Sequence, residues 1–370
     1  MTQRHCLRVL RASDSQLQQQ WRELWMTWPG REIWAHPDYS TLFVGPYETP
    51  ILLFYENRDR RVIFPLVLRP IPPSLAGTDD LFDLVGPYGY GGPYVDPKGC
   101  SECPDFWAAI EEWARSTRCV SLFSRLDLDP SLLLPDIPAA MTVAMNVVRG
   151  LDLSEHDLWL DFDHKVRKNV KRAIREGVEL AIDQNGDSLD EFLAVYHSTL
   201  RRRGAAGSSF LPRSFFERLV ATLKGHFAIF NALHDGSVIA TELVLLSEKR
   251  AYSFLGGTLD QHTSKRPNDF LKYEIIRWAR AMGKSEFVLG GGFVSGPNKG
   301  NDGIFNYKKS FAPRGIRPFR VMRWILDQQR YAELVYAWEA AAGVATDPLD
   351  GYFPAYRKAL PSVRQDAESE

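Results

Sequence analysis

The chain has 370 residues, of which 45% are hydrophobic and 25% charged, which excludes a disordered or fibrous protein. This length fits two domains better than a single hydrophobic core. The formal net charge is -1, so a partner that carries phosphates must be attracted by a local basic patch and not by the charge of the whole protein.

Cysteine usage and hydropathy define the expected compartment. Four cysteines are few for this length and favour a reducing cytoplasm over a disulfide-built secreted protein. Cys100 and Cys103 have the spacing of half a zinc site, but no second Cys or His pair follows, so we expect no metal. No stretch approaches the ~20 apolar residues of a membrane span, and the N-terminus lacks a signal peptide pattern. We therefore expect a cytoplasmic protein without integral membrane contact.

Hydrophobic periodicity predicts a mixed α/β arrangement in the first part of the chain. The predicted elements are a strand at 7–10, a helix at 14–28, a hairpin of 51–55 and 61–68, a helix at 106–117 and a strand at 120–126. A linker marked by prolines follows at 130–138, and we expect the first domain to end near residue 153.

Glycine alternates with tyrosine and proline in residues 83–95, which predicts tight turns with exposed aromatic rings. Tyr88 and Tyr90 belong to this stretch. Two interpretations remain open: the rings form a binding wall between two domains, or they close the edge of one domain.

Residues 163–177 form the most asymmetric stretch of the chain. Helical spacing gathers the apolar side chains of Val166, Val170 and Ile174 on one face and leaves a basic face outside. The cations of that face are Lys165, Arg167, Lys168, Lys171, Arg172 and Arg175. A run of charge is usually a solvated face, but this excess of cations favours a phosphate-bearing partner.

The remaining elements alternate between strands and helices. They are strands at 178–182 and 251–258, helices at 189–200 and 214–222, a hairpin of 227–233 and 238–246, a helix from Pro267 to Gly283, short strands at 286–289 and 316–324, and a helix at 327–342.

A glycine-rich loop follows the predicted strand at 286–289. Gly290, Gly291 and Gly292 permit backbone conformations and close approaches that side chains forbid, so a ligand could lie against bare backbone there. The alternative is a flexible loop. Tyr307 and Lys308 come shortly afterwards, and we place the chemistry in this region.

Several strings resemble the Fem-type aminoacyltransferases and their BioF2-like relatives in the GNAT superfamily. They are Asp83 with PYGYGGP at 87–93, HKVRKNVKRA at 164–173, RRRG at 201–204, FLGGT at 254–258, RPN at 266–268, GGG at 290–292 and YKKSF at 307–311. The resemblance implies an α/β (α+β) fold of two tandem GNAT-like domains, each a mixed, mostly antiparallel sheet flanked by helices. We expect an N-terminal domain at 1–153, a catalytic domain at 154–322, and at 323–370 a helix that packs back, followed by a loose tail.

Members of this family pass an activated acyl group to an amine, so the resemblance implies an N-acyltransferase. The family's Phe-Lys pair falls on Tyr307 and Lys308 here, which assigns Lys308 to stabilising the oxyanion and adds a tyrosine hydroxyl. Glu242 or Asp302 could assist deprotonation of the amine. The competing interpretation is that Lys308 is a surface lysine.

The donor is expected to be aminoacyl-tRNA, with no tightly bound cofactor. Coenzyme A in a GNAT fold usually meets a glycine-bearing loop, whereas residues 262–269 contain no glycine and one proline. Acetyl- or acyl-coenzyme A remains the alternative donor, and a non-catalytic module that binds nucleic acid is a second alternative. The acceptor is expected to be the amine of a peptide, peptidoglycan precursor or small metabolite.

The expected binding residues fall into two groups. The basic face and the three glycines are expected to hold the donor. The acceptor is expected to contact Tyr88, Tyr90, Arg202, Glu242, Tyr252 and Asn268.

Overall fold

A computed structural model describes residues 6–98, 102–205, 210–291, 303–347 and 352–360. Contacts divide the chain into two units that interleave along the sequence. The first unit comprises Met1–Trp21, Phe43–Thr142 and Arg320–Glu370, and the second comprises Arg22–Leu42 and Val143–Phe319. The expected limits at residues 153 and 322 stay predictions of where separate domains begin and end.

The first unit contains a mixed sheet. Its strands are β1 (Cys6–Arg11), β2 (Thr49–Glu56), β3 (Arg61–Pro70), β4 (Phe82–Val85), β5 (Tyr94–Asp96), β6 (Cys119–Arg125) and, from Arg320 onward, β13 (Ile316–Ile325). Their order in the sheet is β1-β2-β3-β4-β6-β13, with β5 paired to β3. Strands β4 and β6 run parallel, and the predicted hairpin of β2 and β3 is antiparallel. Residues 51–55 are buried throughout, as expected for an unbroken apolar run.

Helices α3 (Pro73–Ala76), α4 (Pro104–Ser116) and α11 (Gln328–Ala342) belong to the first unit, and the unit boundary passes through α1 (Ser15–Met26). The segment 352–360 also packs here. Tyr356 is buried with Leu334 and Trp338, and Arg357 Nε donates to Asp83 at 2.7 Å. Asp83 therefore serves the fold of the first unit.

The second unit contains a mixed sheet in the order β7-β12-β11-β10-β9-β8. Its strands are β7 (Ala140–Gly150, from Val143 onward), β8 (Glu179–Asp183), β9 (Phe227–His234), β10 (Ser237–Leu246), β11 (Arg250–Thr258) and β12 (Glu286–Gly291). Only β11 and β12 pair in parallel, and the other pairs are antiparallel. Its helices are α2 (Pro37–Ser40), α5 (Glu155–Asp161), α6 (His164–Arg175), α7 (Leu189–Arg202), α8 (Arg213–Thr222), α9 (Pro267–Ala281) and α10 (Gly303–Lys309).

The early segment 22–42 is anchored in the second unit by buried charges. Glu32 is 2% exposed, and its carboxylate accepts from Arg250 Nη1 at 2.8 Å and from the Tyr252 hydroxyl at 2.6 Å. Arg250 Nε donates in turn to Glu286 at 2.7 Å, so two guanidinium hydrogen bonds connect this segment to the start of β12.

Several elements differ from the sequence-based expectation, and among them are the short strands β4 and β5 and the short helix α3, which were not predicted. Strand β7 and helix α5 were not predicted, because the exposed first half of β7 gives no clean alternation and α5 is only two turns long. Residues 303–309 form a helix, whereas no helix was predicted between the glycine-rich loop and the strand at 316–324. No helix in the described ranges has both the length and the apolar character needed to cross a membrane.

Candidate functional site

The parallel strands β11 and β12 pair over only a short stretch. Their pairing covers Arg250 with Glu286, Ala251 with Phe287 and Tyr252 with Val288. Beyond this point β12 continues along β7, with a bulge between Val288 and Gly290. A bulge bends the strand and interrupts the ladder of hydrogen bonds. The end of β12 therefore lies beyond the last residue that pairs with β11.

Two glycines at this end of β12 meet specific backbone demands. Gly290 has φ of +82°, a conformation that residues with a side chain rarely adopt. A Cβ on Gly291 would lie 2.3 Å from Asn146 Oδ1 and 3.1 Å from the Met145 carbonyl oxygen, so a side chain here requires a neighbour to move. Gly292 lies outside the described residues.

Lys308 reaches this glycine pair from helix α10. Its Nζ donates to the Gly291 carbonyl oxygen at 2.6 Å, and the side chain is half-buried. An ammonium carries three donors, and one of them makes this hydrogen bond. The arrangement holds a cation at the end of β12, where it can stabilise an oxygen that becomes negatively charged.

Tyr307 points away from Lys308 into the core. Its ring makes an edge contact with Phe311 at 5.3 Å between centroids. The hydroxyl oxygen is buried and has no hydrogen-bond partner among the described residues. Burial raises the pKa of Tyr307 well above its usual value, and the carboxylates of Asp269 and Glu242 raise it further, so the hydroxyl stays protonated.

Glu242 is held in a buried ion pair. It lies on β10 and is 7% exposed, and Lys272 of α9 donates to its carboxylate. Lys272 Nζ also donates to Ser253 Oγ at 2.7 Å. A carboxylate that is neutralised in this way is a poor candidate for a free general base. Asp302, the other residue considered for that role, lies outside the described residues.

The basic face of α6 divides into anchored and exposed cations. Arg167 donates to the carbonyl oxygens of Leu160 and Phe162, and Arg172 Nε donates to Glu176 at 3.1 Å. The side chains exposed to solvent are those of Lys165, Lys168, Lys171 and Arg175.

One position of the predicted apolar stripe of α6 is wrong. Ile174 is 54% exposed, whereas Ala173 is fully buried together with Val166 and Val170. The stripe follows spacings of three and four residues, and position 173 continues it more closely than position 174. The exposed Ile174 lies within the basic face.

Two of the predicted acceptor residues meet at Thr258. Arg202 Nη1 donates to the Thr258 carbonyl oxygen at 3.0 Å, and the Thr258 hydroxyl donates to Asn268 Oδ1. Arg202 also lies 3.2 Å from Asp260. These contacts tie the end of α7 to the start of α9, and they bring neither residue into contact with Lys308.

The predicted tyrosines have different environments. Tyr252 is 3% exposed and its hydroxyl is engaged by Glu32, so it is part of the fold of the second unit. In the first unit Tyr88 is 50% exposed and stacks on Phe43 at 5.0 Å. Tyr90 is buried, which corrects the expectation that both rings are exposed, and burial raises its pKa.

A cavity of about 370 Å³ lies elsewhere in the second unit and involves none of the predicted site residues. Its arginines are matched by carboxylates, because Arg149 and Arg314 both pair with Asp161 and Arg317 pairs with Glu286. Each of these arginines already has a carboxylate partner, which gives no reason to assign an anion to the cavity.

Sequence analysis missed the buried charged residues of α9. Asp269 and Lys272 are 8% and 7% exposed and continue the buried stripe of Ile276 and Ala279. Charged residues on the core-facing side of a helix need partners, and this was the signal available in the sequence. Among the described residues no group of His, Cys, Asp and Glu side chains could hold a metal ion.

Comparisons with known proteins agree with this architecture. Residues 164–309 match the family described as "Acetyltransferase (GNAT) domain". A curated relative, the UDP-N-acetylmuramoylpentapeptide-lysine N(6)-alanyltransferase of Weissella viridescens, is 26% identical over 176 residues. This match covers 47% of the present chain and 50% of the relative, so the chain spans about half the length of the curated relative it matches.

The solved structure of FemX has a similar fold over most of the chain. It superposes with a TM-score of 0.63 at 12% sequence identity and covers 85% of this chain and 97% of that one. Together these similarities confirm the predicted resemblance to the Fem-type proteins of the GNAT superfamily and the predicted α/β fold class with GNAT-like domains.

Proposed function

We propose that this chain, with its Fem-type GNAT fold, is an N-acyltransferase that moves an aminoacyl group from aminoacyl-tRNA to an amine and forms an amide bond. The observation that carries the proposal is the position of Lys308. Its ammonium is held at the Gly291 carbonyl, beside the point where β11 and β12 separate. In this geometry a cation lies at the end of β12.

The chemistry assigned to Lys308 is electrostatic. The acceptor amine attacks the carbonyl carbon of the aminoacyl ester, and the carbonyl oxygen becomes negatively charged in the tetrahedral intermediate. Lys308 stabilises this oxygen. A proton passes from the attacking nitrogen to the ribose oxygen, the bond between the carbonyl carbon and that oxygen breaks, and the amide forms as the tRNA leaves with its ribose hydroxyl. A charge positioned before the reaction needs no reorganisation during it, which makes such a group worth about 10² to 10³ in rate.

Two features support a tRNA donor. The exposed cations of α6 provide a local basic patch on a chain whose formal net charge is -1. In addition, α9 begins with Pro267, which lacks one of the backbone N–H groups that a helix N-terminus offers to a pyrophosphate. The curated relative is named as an alanyltransferase that acts on a UDP-N-acetylmuramoylpentapeptide lysine, which supports an amine of that kind as the acceptor.

A transfer assay tests the proposal. Purified protein is incubated with individually charged tRNAs and with a pool of lysine-containing peptides and peptidoglycan precursors, and the products are analysed by mass spectrometry. We expect one aminoacyl mass increment on an amine, and its loss in Lys308→Ala. Absence of transfer from every charged tRNA contradicts the proposal, and tRNA binding without transfer favours a non-catalytic nucleic-acid-binding module.

An acyl-coenzyme A donor is the second candidate, because the family that matches residues 164–309 is described as an acetyltransferase domain. Thermal unfolding with acetyl-coenzyme A separates the two donors. A ligand at 100 times its dissociation constant stabilises a protein by about 2.7 kcal/mol, which is a clear shift in melting temperature. We expect no such shift with acetyl-coenzyme A.

A further inference from the structure

Ser253 lies on β11 at the point where this strand parts from β12. Tyr252 and Val288 form the last residue pair of the two strands, and Ser253 is the next residue of β11. On the other strand, the chain continues to Gly291, whose carbonyl oxygen accepts the hydrogen bond from Lys308. Ser253 and the carbonyl that binds Lys308 therefore follow the same last pair, one on each strand.

The side chain of Ser253 is partly exposed and accepts a hydrogen bond. Lys272 Nζ of α9 donates to Ser253 Oγ at 2.7 Å. An ammonium has no acceptor, so the serine oxygen supplies a lone pair and keeps its own O–H proton. Within the described ranges this proton makes no hydrogen bond to the protein. The hydroxyl can therefore donate to a molecule in the space between β11 and β12 beyond their last pair.

The lysine that holds Ser253 is itself part of a buried ion pair. Lys272 is 7% exposed, donates to the Glu242 carboxylate and lies 5.6 Å from the centroid of the Phe287 ring. Such a pair is weak evidence for stability, because apolar residues of similar volume are often as stable in its place. A charged donor makes a stronger hydrogen bond than a neutral one and polarises the next hydrogen bond in the chain. The ion pair therefore makes the Ser253 hydroxyl a stronger donor.

We propose that Ser253 contacts the substrate and donates a hydrogen bond to the carbonyl oxygen of the aminoacyl ester, with Lys272 and Glu242 as positioning residues behind it. This inference rests on the proposed function. The hydrogen bond strengthens as the amine attacks and the carbonyl oxygen becomes negatively charged. Ser253 keeps its proton throughout, and none of its covalent bonds forms or breaks. Ser253 on β11 and Lys308 beside β12 then stabilise the same oxygen.

Removal of the hydroxyl tests the contact. Ser253→Ala should lower kcat about 10²-fold, as the loss of one oxyanion donor does, while the affinity for tRNA stays at the wild-type value. Ser253→Thr keeps the hydroxyl and should retain most of the activity. Ser264→Ala removes the same group from an exposed site of the second unit and should keep wild-type kcat. Single-turnover transfer measures the rate, and fluorescence anisotropy measures tRNA binding.

An apolar pair tests the support behind Ser253. Lys272→Met combined with Glu242→Leu removes both charges together, whereas removal of one partner would leave the other charge buried and unpaired. We expect this double variant to fold with a urea midpoint near the wild-type value and to lower kcat about 10-fold, because contacting residues are coupled. Ser253→Ala added to it should then cost less than 10²-fold. Lys272→Gln with Glu242→Gln gives the same comparison if the apolar pair does not fold.

The outcomes separate this inference from the proposed function. Wild-type kcat in Ser253→Ala, or an equal loss of kcat in Ser253→Ala and Ser253→Thr, overturns the contact and leaves the proposed function intact. The same loss from Ser253→Ala in the wild type and in the double variant overturns the role of Lys272 and Glu242. If the wild type transfers no aminoacyl group from any charged tRNA, the proposed function fails and the contact with the ester falls with it.

Discussion

Lys308 and Gly291 form the contact on which the proposed function rests, a hydrogen bond from a side-chain ammonium to a backbone carbonyl. The 2.6 Å hydrogen bond fixes the ammonium at the end of β12. The lysine on its own is not distinctive, because Lys309 follows it directly in the sequence. The structure distinguishes the two lysines, because Lys308 is half-buried and Lys309 is exposed.

Replacement of Lys308 tests its proposed role directly. Lys308→Ala should lower kcat by about 10²-fold or more, because the developing negative charge loses its stabilising cation. Donor affinity should change little, as the exposed cations of α6 remain. Single-turnover transfer and equilibrium tRNA binding measure the two effects separately. The neighbouring variant Lys309→Ala removes the same charge from an exposed site and should keep wild-type transfer; equal losses in both variants would contradict the assignment.

Gly291 should tolerate no side chain. Gly291→Ala places a Cβ 2.3 Å from Asn146 Oδ1 and 3.1 Å from the Met145 carbonyl oxygen, so the buried Asn146 side chain or the end of β12 must shift, at a cost of about 1–3 kcal/mol. A shift of β12 displaces the carbonyl that binds Lys308, so transfer should fall together with stability. Gly303→Ala is the matched change, because a Cβ there meets nothing within 4 Å. Urea unfolding measures both variants, and similar stability of the two would be evidence against the close approach.

At the scale of the helix, α6 combines anchoring and exposed cations in one short element. Arg167 donates a hydrogen bond to the Leu160 carbonyl oxygen of α5, and Arg172 pairs with Glu176 one turn along the helix. Lys168 and Arg175 are exposed on the outer side. The element can therefore offer charge to a partner while other arginines maintain its fold.

Charge reversal on the outer side of α6 should weaken tRNA binding. Lys168→Glu with Arg175→Glu should reduce affinity and lower the salt dependence, because the slope falls by about one unit for every phosphate that the protein no longer neutralises. Lys224→Glu changes an exposed lysine of the same unit and serves as the control. Anisotropy titrations at several salt concentrations measure both quantities. An unchanged slope in the double variant would show that α6 does not contact the phosphates.

Most helices and strands of the second unit could be predicted because their apolar periodicity is strong. The hairpin of β9 and β10 has apolar runs on both sides of the turn at Asp235, and α9 opens at Pro267. The buried ion pair of Lys272 with Glu242 could not be predicted, since the two residues are 30 positions apart in sequence and meet only after folding. Periodicity identifies a buried position but does not identify its partner.

At the scale of the whole molecule, stability should depend on the buried histidine His36. Burial, His226 and Arg22 lower the pKa of His36 from 6.5 to about 3, although Asp38 lies 3.8 Å from its Nδ1. The folded state therefore keeps this imidazole neutral, while the unfolded chain takes up a proton below pH 6.5. The contribution of His36 to the free energy of unfolding is therefore fully present above pH 6.5 and is lost progressively as the pH falls toward 3.

His36→Asn should reduce this pH dependence. Between pH 6.5 and 5 the wild type should lose about 2 kcal/mol through this group, because one pKa unit corresponds to 1.36 kcal/mol. Asparagine can also accept the Asp38 N–H that His36 accepts as the cap of α2. Urea unfolding at both pH values gives the comparison, with the exposed His156→Asn as the control. If the free energy of unfolding falls equally in the wild type and in His36→Asn, His36 is not the source of the pH dependence.

The interleaving of the two units has a consequence for how such a protein is made and inherited. Arg22–Leu42 leaves the ribosome about one hundred residues before Val143, the next residue of its unit, and the first unit lacks its last segment until Arg320 has been translated. Neither unit therefore has all of its segments until late in synthesis, and these segments are synthesised at different times. A recombination event with one breakpoint cannot transfer either half intact, so the two are expected to pass between genomes as one indivisible block.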